Sequence, residues 1–180
     1  PMDVSVSLGI YISERNEGIF KNAFLTFSEK PEMNYLSGSL YQRMRQLQRA
    51  NWGMSTNLQA TFDLILNSAV RELLPESEMP TKILIISDME FNSADRHQTN
   101  LDVIRQKYAR NGYKMPEIIF WNVNGRLGNV PASAKDSGIG LVSGFSPSVL
   151  KGILKGEIQS PIQLMLDTVD TARYSCIGTE

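Results

Sequence analysis

Apolar residues follow one another without interruption at two places in the chain, and elsewhere they recur at helical intervals. The runs Lys82–Ser87 and Glu117–Val123 predict strands that are buried on both faces. Shorter runs at Ala23–Phe27 and Ile139–Val142 predict two more strands. Spacings of three and four residues predict helices over Ser37–Arg49, Asn57–Leu74, Leu101–Ala109, Pro147–Leu154 and Pro161–Val169. Because strands alternate with helices, we expect an α/β fold, with a three-layer, doubly wound, mostly parallel sheet and helices on both faces.

The N-terminal segment fits either a strand or a helix. Over Met2–Ser13 every second residue is apolar, and this local pattern favours a strand. Val4, Leu8 and Ile12 would also lie on one side of a helix. The chain begins at Pro1 without an initiator methionine or a charged and apolar leader, so we expect a processed chain or part of a longer one.

Composition and charge indicate a single ordinary globular domain. The chain has 180 residues and a mass of 20.2 kDa, and 42% of its residues are hydrophobic. Lys and Arg number 18 and Asp and Glu 19, and the resulting net charge of -1 argues against a dedicated binder of nucleic-acid backbones. We interpret Arg43, Arg45 and Arg49 on one predicted helix as a solvated face rather than a nucleic-acid site.

Cysteine usage and hydropathy suggest where the protein resides. The single cysteine, Cys176, cannot form an internal disulfide or a cysteine-based zinc site, and it indicates a reducing compartment. No apolar run approaches the ~20 residues that a membrane span needs, so we expect no membrane association. The expected location is the cytoplasm of the producing or host cell, and association with a virion stays open.

The candidate functional residues lie where predicted strands end. Ligands of parallel α/β sheets bind at the carboxyl edge, so these positions are the ones to consider. Asp88 directly follows the most apolar strand, where a carboxylate is costly unless it is solvated, hydrogen-bonded or bound to a cation. The alternative is a loop aspartate that caps the next turn. Thr56 precedes the helix Asn57–Leu74, and its hydroxyl could either cap that helix or face a metal or an anion.

A third candidate lies near the N-terminus, where Asp3, Ser5 and Ser7 form a D-x-S-x-S pattern. One carboxylate and two hydroxyls on alternate residues can converge on Mg²⁺, which prefers oxygen ligands. So short a pattern also recurs by chance.

Together these features resemble a von Willebrand factor A domain with its metal-ion-dependent adhesion site (MIDAS). The resemblance rests on Thr56–Leu58 at the start of a helix and Ile85–Asp88 at the end of a strand, which are similar in order and spacing to the second and third metal motifs of that family. Within the family, the resemblance is to the Ro-like, TROVE-related A domain at the C-terminal end of uncharacterised viral, phage and plant proteins. The similar segments cover most of the chain: Pro1–Glu14, Phe24–Pro31, Trp52–Leu58, Ile85–Phe91, Ile118–Arg126 and Gly140–Leu150.

The resemblance implies a Rossmann-like fold that binds a protein partner. Thr56 and Asp88 would hold Mg²⁺ directly or through water, and a carboxylate of the partner would complete the coordination shell. In the family, the first metal motif closes a central strand that precedes the stretch similar to the start of this chain. On that alignment Asp3, Ser5 and Ser7 are helix residues, and a missing N-terminal segment or another chain supplies the first strand and the first metal motif.

Two other functions remain as alternatives. A Mg²⁺-dependent phosphotransfer or nuclease-type enzyme could use Asp88 and Glu90 as its carboxylate pair. A component of a Ro-like ribonucleoprotein is the other, although the near-neutral charge does not support RNA binding. A Ser-His-Asp hydrolase is not indicated, because His97 is the only histidine and no nucleophile motif accompanies it. We therefore expect a non-enzymatic protein-interaction module with a magnesium-dependent, adhesion-type site at the carboxyl edge of its sheet.

Overall fold

A computed structural model describes residues 2–26, 30–50, 52, 57–87, 101–123 and 138–144, and the single residues 150, 152, 162, 165, 166, 169, 170 and 173. The helices of the continuous ranges are α1 (Met2–Ser13), α2 (Leu40–Arg49), α3 (Leu58–Arg71) and α4 (Leu101–Arg110). Their strands are β1 (Ala23–Thr26), β2 (Glu32–Tyr35), β3 (Lys82–Ser87), β4 (Glu117–Asn122) and β5 (Ile139–Ser143). The described part of the chain is therefore mixed α/β, as predicted.

The strands belong to two sheets. β3, β4 and β5 form a parallel sheet in that order, with Ile85 opposite Phe120 and Phe120 opposite Leu141. β1 and β2 form an antiparallel pair in which Phe24 lies opposite Asn34. The sequences of β3 and β4 are apolar at almost every position because a parallel sheet is covered on both faces.

Helices pack against both faces of the parallel sheet. On one face, Ile85 packs in a cluster with Phe62 of α3 and Ile104 of α4. On the other face, Trp121 of β4 packs with Leu8 of α1. Successive residues of a strand point to opposite faces, so the continuous apolar run of each strand serves both helix layers.

The N-terminal segment is the helix α1, so the strand that its alternating pattern favours is wrong and the helical alternative is confirmed. Every second residue of a helix is rotated by about 200°, so alternate residues fall on nearly opposite sides. Val4 and Leu8 pack beside Trp121 of the parallel sheet. Val6 packs with Ile10 in a second cluster, formed with residues of β1 and α2. A helix that is apolar on two sides therefore produces the pattern of a strand.

The other predicted elements that lie in the continuous described ranges are observed with small changes at their ends. β3 has the predicted bounds, whereas the helix predicted from Ser37 begins at Leu40 because Ser39 caps it. β2 is missed by the sequence pattern, since its residues are polar or half exposed. In the two helices predicted beyond β5, the described residues that are helical are Leu150, Gly152, Ile162, Met165, Leu166 and Val169.

Candidate functional site

The carboxyl edge of the parallel sheet carries a row of polar residues. Ser87, Asn122 and Ser143 are the last residues of β3, β4 and β5, and the register places Asn122 between the other two. Backbone pairing continues beyond this row, because the Val123 amide donates to the Ser87 carbonyl and the Gly144 amide donates to the Asn122 carbonyl, both at 3.0 Å. Hydroxyl and amide oxygens of this kind are ligands that Mg²⁺ accepts in proteins.

The row lies on the face of the sheet that α3 and α4 cover. Ile85 and Ile139 both pack into the cluster that contains the buried side chains of these helices. Residues at even spacings along a strand point to one face, so Ser87 and Ser143 share the face of Ile85 and Ile139. Asn122 pairs with both serines and therefore lies on the same face, where it is only 9% exposed.

The N-terminus of α3 points toward this edge. Beyond the other end of α3, the Leu74 carbonyl accepts a hydrogen bond from the Tyr113 hydroxyl (2.7 Å), and Glu76 Oε1 accepts one from the Lys114 amide (3.1 Å). Tyr113 and Lys114 lead into the start of β4, so the C-terminal end of α3 lies at the amino edge of the sheet. The 14 residues of α3 span ~21 Å and a six-residue strand ~20 Å, which brings the start of α3 level with the carboxyl edge.

An asparagine caps α3 at this end. The Asn57 side chain accepts a hydrogen bond from the Ala60 amide (2.9 Å), and the Asn57 carbonyl accepts one from the Thr61 hydroxyl (3.0 Å). The interpretation of Thr56 as the helix cap is therefore wrong, because the residue after it performs that role.

Contacts with α4 hold the first turns of α3 in place. Lys107 Nζ lies 2.7 and 2.8 Å from the two carboxylate oxygens of Asp63. The Tyr108 hydroxyl donates to the Phe62 carbonyl at 3.0 Å. Burial, and secondarily the charge of Asp63, raise the pKa of Tyr108, so this phenol stays protonated and remains a donor.

The predicted ligands fall partly outside the described residues. Thr56, Asp88 and Glu90 lie outside them, as does His97, so their roles stay predictions. In the sequence, Asp88 directly follows Ser87 of the polar row. Among the residues that the structure describes, no group of three or more His, Cys, Asp or Glu side chains is placed to hold a metal ion.

The D-x-S-x-S residues do not share one side of α1. Asp3 and Ser7 are about one turn apart, and the Ser7 hydroxyl donates to the Asp3 carbonyl at 2.7 Å. Ser5 is rotated about 200° from Asp3, so the three oxygens do not converge as they would on a strand. Val4 packs against the cluster of Trp121 and Val123, so α1 lies on the face of the sheet opposite to the polar row.

Sequence reasoning missed Asn122 and Ser143 as members of this edge. A signal was available, since each follows an apolar run at the position that Ser87 has in β3. The register of the three strands is what shows that these positions coincide at one edge.

Comparisons with known proteins identify relatives without an assigned activity. Residues 1–173 match a family described as a domain of unknown function, DUF7788. A protein of Acanthamoeba polyphaga mimivirus, described as an uncharacterized protein, is 32% identical over 174 residues. The alignment covers 94% of this chain and 30% of the viral protein, so the chain spans less than a third of that relative's length. In the described ranges, no helix is both long and apolar enough to cross a membrane.

Proposed function

The chain belongs to the DUF7788 family, and we propose that it is a non-enzymatic protein-interaction module that binds Mg²⁺ at the carboxyl edge of its parallel sheet. The observation that carries this proposal is the polar row Ser87, Asn122 and Ser143, which lies level with the capped start of α3. The row places uncharged oxygens at the carboxyl edge of the sheet. In the sequence, Asp88 comes directly after Ser87, the last residue of β3.

In this proposal Asp88 and Thr56 hold the ion directly or through water. Ser87 and Asn122 provide neighbouring oxygens that bind the ion's water shell. Mg²⁺ keeps several waters and prefers carboxylate ligands, and a single aspartate neutralises only half of its charge. A carboxylate from a protein partner is therefore a favourable additional ligand, which makes binding of that partner dependent on the metal.

We further propose that the sheet belongs to a three-layer, doubly wound fold of the von Willebrand factor A type. The packing of α1 on one face and of α3 and α4 on the other supports this arrangement. The direction of α3, with its start at the carboxyl edge, is the one that a doubly wound sheet requires of the helix before a parallel strand.

We also infer that a further strand lies between β1 and β3. Leu25 of β1 packs in the same cluster as α3 and Ile85 of β3, and α1 contacts both strands. These two strands thus share a helix on each face, although within the described residues they belong to separate sheets. Neighbouring strands lie ~4.8 Å apart. β1 and β3 lie under the same helices without pairing with each other in the described residues, which is the arrangement expected when one strand lies between them. In our proposal a segment outside the described residues, or another chain, supplies it.

Calorimetric titration with Mg²⁺ tests the metal site. We expect the full-length wild-type protein to bind Mg²⁺ and Asp88→Ala to lose that binding, with little change in thermal stability because a solvated edge carboxylate contributes little to packing. The matched control is Glu117→Gln. Glu117 begins β4 at the opposite edge, with its carboxylate 3.9 Å from Lys82 Nζ, so its neutralisation should leave Mg²⁺ affinity unchanged.

The alternative assigns Asp88 to capping a loop. In that case Asp88→Ala would lower the unfolding free energy by ~1 kcal/mol and leave Mg²⁺ binding as in the wild type. Equal Mg²⁺ binding by the two proteins would end the adhesion-site proposal.

A further inference from the structure

Trp121 connects the face of the sheet under α1 with the carboxyl edge. Its ring is buried and packs with Val4 and Leu8 of α1, on the face opposite to the polar row. The indole Nε1–H nevertheless donates to the Gly144 carbonyl at 2.7 Å. Gly144 directly follows Ser143, the last member of the row. The polar atom of this buried ring is therefore bonded to the backbone beside the candidate site.

Gly144 makes two hydrogen bonds with β4. Besides accepting from the indole, it donates its own amide to the Asn122 carbonyl at 3.0 Å. Its φ of +108° is a conformation that residues with a side chain rarely adopt. A Cβ at this position would meet no atom within 4 Å, so the backbone conformation requires glycine and the available space does not. The chain therefore turns at Gly144 while both of its backbone polar groups are bonded to neighbouring residues of β4.

The end of β5 depends on these bonds, because its side chains contribute little packing on the face of the polar row. Leu141 and Ser143 point to that face and are both exposed, Leu141 at 41%. Val142 points to the other face and packs with Trp121. Within the described residues, β5 pairs with β4 alone. Trp121 therefore holds the end of β5 in two ways, through apolar packing with Val142 and through the hydrogen bond to Gly144.

We propose that Trp121 is a positioning residue of the candidate magnesium site, which keeps Ser143 in the polar row by fixing the backbone beside it. This inference rests on the proposed function, because it requires Mg²⁺ to bind at that edge. Ser143, which pairs with Asn122, then presents its hydroxyl to the water shell of the ion. Trp121 itself does not contact the ion, since its ring lies on the opposite face of the sheet. Its contribution to metal binding is therefore indirect.

Calorimetric titration with Mg²⁺ tests this role in the full-length protein. Trp121→Phe removes the indole donor and keeps an aromatic ring against α1. Residues that orient metal ligands typically contribute about 10–100-fold to metal affinity, so we expect the dissociation constant for Mg²⁺ to rise roughly tenfold. The matched control is Tyr113→Phe, because the Tyr113 hydroxyl also donates to a backbone carbonyl, that of Leu74, at 2.7 Å and at the opposite edge of the sheet. We expect this control to bind Mg²⁺ as the wild type does.

Gly144→Ala tests the same hydrogen bond without changing the tryptophan. The added methyl group has space, but the backbone has to leave its φ of +108°, which moves the carbonyl away from the indole. We expect a similar loss of Mg²⁺ affinity. In protein labelled with fluorotryptophan, we also expect the fluorine NMR signal of Trp121 to shift as Mg²⁺ is added, and to shift less in Gly144→Ala. The variants Trp121→Phe and Trp52→Phe assign the signals.

The outcomes separate this inference from the proposed function. A wild-type protein that binds no Mg²⁺ overturns both. Unchanged Mg²⁺ affinity in Trp121→Phe and in Gly144→Ala overturns the positioning role alone, even if their melting temperatures fall, because Trp121 then serves only stability. If Trp121→Phe does not fold, Gly144→Ala and the NMR titration of the wild type decide, and a Trp121 signal that does not respond to Mg²⁺ binding overturns the inference.

Discussion

Tyr108 holds α3 against α4 through both its ring and its hydroxyl. Its ring is buried and packs edge-on against Phe62, with ring centres 6.2 Å apart. Its hydroxyl donates to the Phe62 carbonyl, and the adjacent Lys107 is paired with Asp63. Packing, a hydrogen bond and an ion pair thus act on one turn of α3, the turn that follows the capped start of the helix.

Replacing Tyr108 by Phe removes the hydroxyl and keeps the ring. We expect the free energy of unfolding in urea to fall by about 1–2 kcal/mol, because a buried hydrogen bond is lost. Tyr35→Phe is the matched control, since Tyr35 is 55% exposed and its hydroxyl donates to the Met33 sulfur at the surface. We expect that control to stay within about 0.5 kcal/mol of the wild type.

The raised pKa of Tyr108 also predicts a dependence on alkaline pH. The folded state holds the Tyr108 proton more tightly than the unfolded state, whose tyrosines titrate near pH ~10. The stabilisation is therefore complete below pH ~10 and is lost as the pH rises above that value. Urea unfolding at pH 8 and pH 11 should show a larger loss for the wild type than for Tyr108→Phe, and equal losses would contradict the assignment.

At the scale of elements, the Asn57 cap stabilises the end of α3 that lies at the candidate site. Asn57→Ala removes the side-chain acceptor of the Ala60 amide, and we expect it to lower the free energy of unfolding by about 1 kcal/mol. Asn57→Asp keeps an acceptor and adds a charge that favours a helix N-terminus, so it should retain wild-type stability. Thermal melts of both variants check this, and a loss of the same size in Asn57→Asp would show that the cap is not responsible.

The helix α1 contacts strands of both sheets. One side of it packs with Trp121 of the parallel sheet, and the other side packs with Leu36 and Leu47 near β1 and α2. In a strand with this sequence, the apolar side chains would all point to one face and the residues between them to the other. The helix instead places apolar side chains on both sides within a few turns, which accounts for its alternating sequence.

At the scale of the whole molecule, the proposed strand between β1 and β3 predicts how residues 1–180 behave when they are expressed alone. If an external segment or another chain supplies that strand, the edges of β1 and β3 stay unpaired, which favours aggregation. We expect poor solubility or a broad thermal transition. A sharp two-state melt from a monomer of residues 1–180 would show that these residues complete the fold by themselves.

The non-enzymatic proposal predicts no turnover at the carboxyl edge. We expect no Mg²⁺-dependent hydrolysis of nucleotides or of nucleic acids by the full-length protein, because the proposed site holds its ion for a partner carboxylate. Product formation measured by chromatography, with and without EDTA, checks this. Turnover that is abolished by Asp88→Ala and by Glu90→Ala alike would support the enzyme alternative instead.

The sequence by itself determined the parallel sheet and most of its helices. β3 could be predicted residue by residue, since a strand covered on both faces is apolar at nearly every position and few other elements share that pattern. α3 and α4 could be predicted because each buries one face, and the period of their apolar residues follows from the geometry of the helix.

The apolar pattern left α1 open between strand and helix, the helix being what the family resemblance implied, and the tertiary structure decided for the helix. Only the tertiary structure decided the composition of the polar edge. The sequence of α1 is apolar on two sides, and this pattern distinguishes helix from strand only when the two surfaces that cover it are known. Likewise, Ser87, Asn122 and Ser143 lie far apart in sequence, and their proximity depends on the register of three strands. A hydrophobic pattern specifies the register of a strand when one face is buried and the other is exposed. β3 and β4 are apolar on both faces, so their sequences fit more than one register.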